Sequence, residues 1–248
     1  MDRLQLDKNA KLTGRVYFKD EVMWLGLSGS GASFTFDGTK LVLKLKGDNI
    51  AVGDNPIDYA RIAVYVDGKR VVDEMINCAE KEVTVIGRTE SAKSVVEIIK
   101  LSESPMSAVG IEAFTEGSAE ALPEKPLKIE FIGDSITCGY GVDDEDENHQ
   151  FTTATEDVTK AYAYKTAKAL DAEYSMFSAS GYGIVSGYTE GDEPISEQTI
   201  PQFYCSYGFS RGNFAGTAPQ DIPWDFSKYI PQIIVINLGT NDDSYCRD

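Results

Sequence analysis

The rhythm of hydrophobic and polar positions changes once along the chain. From residue 15 to about 115, apolar residues come in short runs, several of them alternating strictly with polar ones. Alternation puts one face of an extended segment on a core and the other in water. The runs at 15–18, 22–27, 32–36, 41–46, 61–66, 70–72, 82–86, 94–101 and 109–114 are the predicted strands. Asp37-Gly38 and Asp67-Gly68 stand between such runs, where an Asp-Gly pair predicts a hairpin turn. Helical periodicity is scarce here. Many short strands at near-regular spacing predict an all-β sandwich domain over residues 1–116.

Residues 117–126 hold two prolines among small and charged residues and predict a linker. Beyond it the pattern is different. Residues 127–132 form an apolar strand, 160–170 are rich in helix formers, and 174–177 form another strand. Strand, helix, strand predicts a βαβ unit in a parallel sheet, so residues 127–248 are expected to be an α/β domain. The run 233–238 is apolar except for Asn237 and calls for cover on both faces. Between 183 and 231 lie five prolines and a cluster of aromatics: Phe203, Tyr204, Tyr207, Phe209 and Trp224, with Tyr182 just before. A loop of that length predicts short helices and a wall of a binding cleft. The aromatics either pack under the loop and against the first domain or form a sugar-stacking face.

Charge narrows the partners. Among 248 residues, 23 basic against 40 acidic side chains give −17, which disfavours nucleic acid and anionic membrane surfaces. No apolar run approaches the roughly 18 residues of a membrane span. The start, Met1-Asp2-Arg3-Leu4-Gln5-Leu6, has no signal-peptide pattern, so the chain as written is expected in the cytoplasm. A secreted protein whose signal has been removed would start in the same way. Cys78, Cys138, Cys205 and Cys246 are widely spaced and predict isolated thiols, with no metal site.

Candidate chemistry gathers at three strand ends. Gly133-Asp134-Ser135 follows the first apolar strand, Ser180-Gly181 follows the second, and Gly239-Thr240-Asn241-Asp242 follows the third. Ligands of open α/β sheets bind at such carboxyl ends. Ser135 is the candidate nucleophile, and a serine hydroxyl needs a base and an oxyanion site. The triple resembles the GDSL/SGNH hydrolase superfamily. That resemblance implies a flavodoxin-like three-layer domain, Ser135 as nucleophile, and an oxyanion hole made of the Ser135 N–H, the Gly181 N–H and the Asn241 side chain. It implies no cofactor. The strained Gly-x-Ser-x-Gly elbow of α/β-hydrolases is absent: Gly133-Asp134-Ser135-Ile136-Thr137 lacks its second glycine.

A leading sandwich with Gly14-Arg15-Val16, Val66-Asp67-Gly68 and Gly87-Arg88-Thr89-Glu90-Ser91, followed by the Ser135 block and Pro223-Trp224-Asp225-Phe226, is similar to carbohydrate esterase family 2. This likeness implies a jelly-roll before the SGNH domain and removal of acetyl groups from xylan- or mannan-type polysaccharide. Tyr182, Tyr204, Trp224 and Asp242 are the candidate substrate contacts. The family's base is a late histidine, but the one histidine here is His149, in the acidic run 143–150. Neighbouring carboxylates would favour its protonated form, so it is expected to be a solvated loop residue. The second domain is therefore expected to be incomplete at its C-terminus, with the remainder of the protein supplying the base. Two other readings stay open: a carbohydrate-binding module with an inert SGNH half, and an SGNH esterase for other acyl esters.

Overall fold

The computed structural model describes residues 1–246, so the last two positions of the expected second domain lie outside the described residues. Nine strands form one antiparallel sheet: β1 (Asp2–Leu4), β2 (Lys11–Thr13), β3 (Val16–Lys19), β4 (Val22–Leu25), β5 (Gly31–Gly47), β6 (Ala60–Val66), β7 (Lys69–Ile76), β8 (Glu80–Lys100) and β9 (Val109–Ala121). The path runs β3-β4-β9-β5-β8-β6-β7, with β1 on β9 and β2 on β5. The strands enclose a core of Phe34, Phe36, Leu41, Leu43, Leu45, Val64, Val96, Ile98 and Ile111.

Two Asp-Gly pairs behave differently. At Asp67-Gly68 both residues have positive φ, 51° and 77°, and Val66 pairs with Lys69. That is the expected tight hairpin. At Asp37-Gly38 there is no turn: the two runs predicted on either side join in the 17-residue β5. The predicted runs 82–86 and 94–101 likewise join in the 21-residue β8. The reason lies in the neighbours. Pairing with β8 and β9 continues on both sides of Gly38, with a register shift between Gly38 and Lys40. A Cβ on Gly38 or Gly117 would lie 2.6 or 2.5 Å from the other's Cα, so only backbone fits where β5 crosses β9. The extra residue bends the paired strands without ending them. The linker prediction is corrected as well. Residues 117–121 are strand, with Gly117 opposite Gly38 and Ala121 opposite Phe34, which leaves a connection of six residues before β10.

The second unit is a three-stranded parallel sheet, β11-β10-β12, made of β10 (Lys128–Gly133), β11 (Glu173–Ser178) and β12 (Ile233–Asn237). Among the described residues the α-helices are α1 (Leu6–Asn9), which lies in the first unit, and α2 (Ser135–Cys138), α3 (Tyr162–Ala169) and α4 (Ile200–Phe203), which follow β10. The expected strands and helix are all present here. Ala163 and Ala167, one turn apart on α3, lie buried against Phe131 and Tyr174. β10 and β11 are buried almost throughout, but Ile233, Ile234 and Ile236 of β12 are 44%, 55% and 63% exposed. None of the described helices is long and apolar enough to cross a membrane.

The two units share their interior. Ala63, Ile99 and Leu101 of the antiparallel half pack with Ile129, Phe131 and Met176. The 183–231 stretch contains short helices, as expected, and returns to the first half. Phe214 stacks on Trp24 at 4.5 Å between centroids, and the Tyr207 hydroxyl donates to the Trp24 carbonyl at 2.7 Å. Arg15, wholly buried, donates to the carbonyls of Tyr204 and Ser206 at 2.6 and 2.5 Å and lies 3.5 Å from Glu130.

Candidate active site

The parallel register sets the three candidate loops side by side. Gly133 pairs with Ser178 on one flank and with Asn237 on the other, so the three strands end level. Adjacent strands lie about 4.8 Å apart. Ser135 comes two residues after Gly133, Gly181 three after Ser178, and Asn241 four after Asn237. All three therefore stand at the carboxyl edge of the sheet, with Ser135 just beyond the central strand.

Local chemistry shapes each loop. Asp134 caps α2, its carboxylate accepting the Ile136 N–H at 3.0 Å, and burial pushes its carboxyl above the ordinary value. This is a turn-forming role. Ser135 opens α2 and is half-buried, and none of the hydrogen bonds among the described residues engages its hydroxyl. Gly181 has φ +79°, with open space where a Cβ would stand, so glycine is there for its backbone conformation. Asn241 is buried, and its Nδ2 donates to the Tyr182 carbonyl at 2.8 Å. A carbonyl can only accept, so this bond fixes which end of the amide is nitrogen. One N–H of the pair is left over. The bond also ties the Asn241 loop to the Gly181 loop.

Each of the four expected substrate contacts has partners within the fold. Tyr182 packs its ring on Phe203 and Phe209. The Tyr204 hydroxyl donates to Glu130 at 2.5 Å and its ring covers Arg15, so its polar group is spent inside the fold. Trp224 lies 5.3 Å from Arg15 and lines a groove of about 410 Å³ with Tyr17, Phe18 and Tyr229, to which Ser135, Gly181 and Asn241 do not contribute. Asp242 is a loop clamp: its carboxylate accepts the N–H groups of Val185, Ile184 and Ser186 at 2.6 to 3.1 Å. Burial works against its charge, but those N–H groups outweigh it and hold the carboxyl below its ordinary value. These four placements follow from partners far along the chain, which the pattern of residue types does not encode.

His149 is 64% exposed, its Nδ1 2.8 Å from Asp144 and its Nε2 3.8 Å from Asp146. It makes no hydrogen bond to Ser135 among the described residues. Asp143, expected in the same solvated run, instead pairs with Arg61 at 2.9 Å and with Lys160. Beside this loop Tyr140 and Phe151 stack at 3.8 Å and line a cavity of about 500 Å³.

Sequence reasoning missed a buried group behind the site. Ligand-type atoms of Glu103, Cys138 and Glu156 lie within 4.8 Å of one another. Burial, with the nearby carboxyls of Glu103 and Glu156, pushes the Cys138 thiol well up. Glu103 and Glu156 each have one partnered and one unpartnered oxygen. Glu103 sits in a polar segment with no motif to mark it.

Known proteins show the same two-unit arrangement. The family model described as carbohydrate esterase 2 N-terminal matches residues 12–126. The cellulase/esterase CelE of Acetivibrio thermocellus is 34% identical over 221 residues, which is 88% of this chain and 24% of that protein. An acetylxylan esterase / glucomannan deacetylase of Cellvibrio japonicus is 29% identical over 96% of this chain and 62% of its own length. The chain thus spans less than two thirds of either relative. A solved family two carbohydrate esterase from Clostridium thermocellum, in complex with cellohexaose, superposes with a TM-score of 0.77 at 30% identity, covering 95% of this chain and 67% of that one.

Proposed function

We propose, given that the chain belongs to carbohydrate esterase family 2, that it serves a serine esterase that removes O-acetyl groups from a xylan- or mannan-type polysaccharide. The antiparallel half is read as the jelly-roll and the parallel half as an SGNH domain. Ser135 Oγ attacks the acetyl carbonyl. The oxyanion of the tetrahedral intermediate accepts hydrogen bonds from the Ser135 N–H, the Gly181 N–H and the remaining N–H of Asn241. Collapse expels the sugar oxygen, which takes up a proton, and leaves acetyl-Ser135. Water then attacks the ester, acetate leaves, and the serine regains its proton. With His149 held by Asp144 and Asp146, the proton acceptor is assigned to polypeptide beyond residue 248, as the family resemblance implies.

One observation carries this reading: three parallel strands end level, and their loops bring Ser135, Gly181 and Asn241 to a single edge, two of them joined by the Asn241–Tyr182 bond. The test is acetate release from acetylated xylan and glucomannan by the full-length protein. Ser135→Ala should lower kcat on the order of 10⁴-fold or more without changing the unfolding midpoint. Turnover retained by that variant would remove Ser135 from the mechanism. The cellohexaose in the Clostridium thermocellum complex carries a second reading, that the cleft holds an unsubstituted glucan. Binding of cello-oligosaccharide with no acetate release from either substrate would favour it.

A further inference from the structure

We infer that Glu103, which follows β8 in the antiparallel half, is a positioning residue for this esterase site, holding the Ser180-Gly181 turn from inside the fold. The inference rests on the esterase reading and adds to it a residue from the other half of the molecule. Glu103 Oε2 accepts the Ser180 N–H at 2.6 Å, a bond that spans 77 positions of sequence. The next residue is Gly181, whose N–H is the proposed oxyanion donor. The same oxygen lies 3.9 Å from the thiol of Cys138, the last residue of α2, the helix that Ser135 opens. One carboxylate oxygen therefore touches the elements that carry the nucleophile and an oxyanion donor.

The Glu103 backbone is itself fixed. It is fully buried; its N–H donates to Glu156 Oε2 at 3.0 Å, and its carbonyl accepts from Lys100 Nζ at 3.0 Å. Lys100 Nζ also donates to the Ser102 carbonyl at 2.6 Å, and the Ser102 hydroxyl accepts the Arg61 N–H at 3.0 Å. Burial pushes the carboxyls of both glutamates up, that of Glu156 well above its ordinary value. A group so enclosed has little freedom, which suits it to set the position of a backbone turn. On its far side the same turn is anchored by Tyr188, whose N–H donates to the Gly181 carbonyl at 2.8 Å, and the segment beyond Gly183 is clamped by Asp242. The loop is thus pinned at both ends, once by each half of the molecule.

A positioning role separates reach from charge. Glu103→Gln keeps an acceptor at the same distance without the charge. Glu103→Asp keeps the charge but shortens the reach by one carbon. In the full-length protein, with kcat normalised to Ser135 titrated by a fluorophosphonate, E103D should lose about 10- to 100-fold in kcat with KM within about 2-fold. E103Q should stay within about 3-fold of the wild type. A boronic acid, whose tetrahedral adduct with Ser135 mimics the oxyanion, should bind E103D more weakly by the same factor as kcat falls. If E103D does not fold, E103M keeps the length without an acceptor and should show the same loss. Wild-type kcat in E103D or E103M overturns the inference, as does an equal loss in E103Q, or a change confined to KM. A wild-type protein that neither turns over nor takes the boronic acid fails the esterase reading first, which is a different result from an active wild type indifferent to position 103.

Discussion

The seam between the two halves and the outer strand of the parallel sheet invert the usual partition of residues. In the seam, Arg15, Lys100, Glu103 and Glu156 are wholly buried. On β12, isoleucines 233, 234 and 236 face outward, 44% to 63% exposed. Burying charge carries a desolvation cost that partners offset, and the seam supplies at least one to each of these groups while leaving Arg15 Nε and Nη2 and one oxygen each of Glu103 and Glu156 without a hydrogen bond. Arg15 has two carbonyls, a carboxylate and the ring of Phe177 at 4.4 Å. Arg70 reaches the buried Asp157 at 2.8 Å, and Arg61 reaches Asp143. β12 has apolar surface with nothing opposite it among the described residues. What a position faces, more than its residue type, decides where it stands. The seam adds polar fastening to its apolar packing, and β12 is held through its pairing with β10.

The comparison can be broken at the seam first. Arg15→Met should destabilise the protein by about 3–5 kcal/mol, because Glu130 and two carbonyls lose their partner. Urea unfolding measures this, and a loss below about 1 kcal/mol would show that the seam does not depend on its buried cation.

A smaller effect comes from Lys100. Burial pushes its ammonium down to about 8, against the attraction of Glu156, Asp48, Glu103 and Cys138. Between about pH 8 and the unfolded value of roughly 10.4, the unfolded chain keeps a proton that the folded chain has released. Unfolding then takes up a proton, so stability contributed by Lys100 rises with pH through that window, by on the order of 3 kcal/mol. The difference in unfolding free energy between wild type and Lys100→Met, followed from pH 7.5 to 10.5, should move toward the wild type. A flat difference would mean that Lys100 keeps its proton in the fold.

The smallest effect is expected on β12. Ile236→Lys places a charge where the side chain already meets water, and should change stability by less than about 0.5 kcal/mol. A loss above about 2 kcal/mol in the full-length protein would place a packing partner over that face.

The legible features were the local ones. The three parallel strands, α3 and the level of the Ser135, Gly181 and Asn241 loops follow from short apolar runs ending in small residues. The Asp67-Gly68 hairpin is equally local. Asp37-Gly38 carries the same pair of residues yet forms a bend inside a strand, because β9 approaches through Gly117 some eighty positions later. Strand pairing likewise reclaims residues 117–121 from the expected linker. Arg15 stands in a short Gly-Arg-Val block whose sequence does not reveal its partner, since Tyr204 is 189 positions away. Glu103 left no pattern at all, since its purpose depends on a backbone N–H, which every residue but proline offers.

The bond from Glu103 to the Ser180 N–H also bears on how such proteins can be recombined. A chimera that joins this C-terminal half to the leading half of another family member would inherit Ser135, Gly181 and Asn241, yet on the proposed mechanism the Ser180-Gly181 turn would rest on whatever the donor carries at the position of Glu103. If Glu103 positions that turn, matching it, with Lys100 and Glu156 around it, is what exchanging the halves requires.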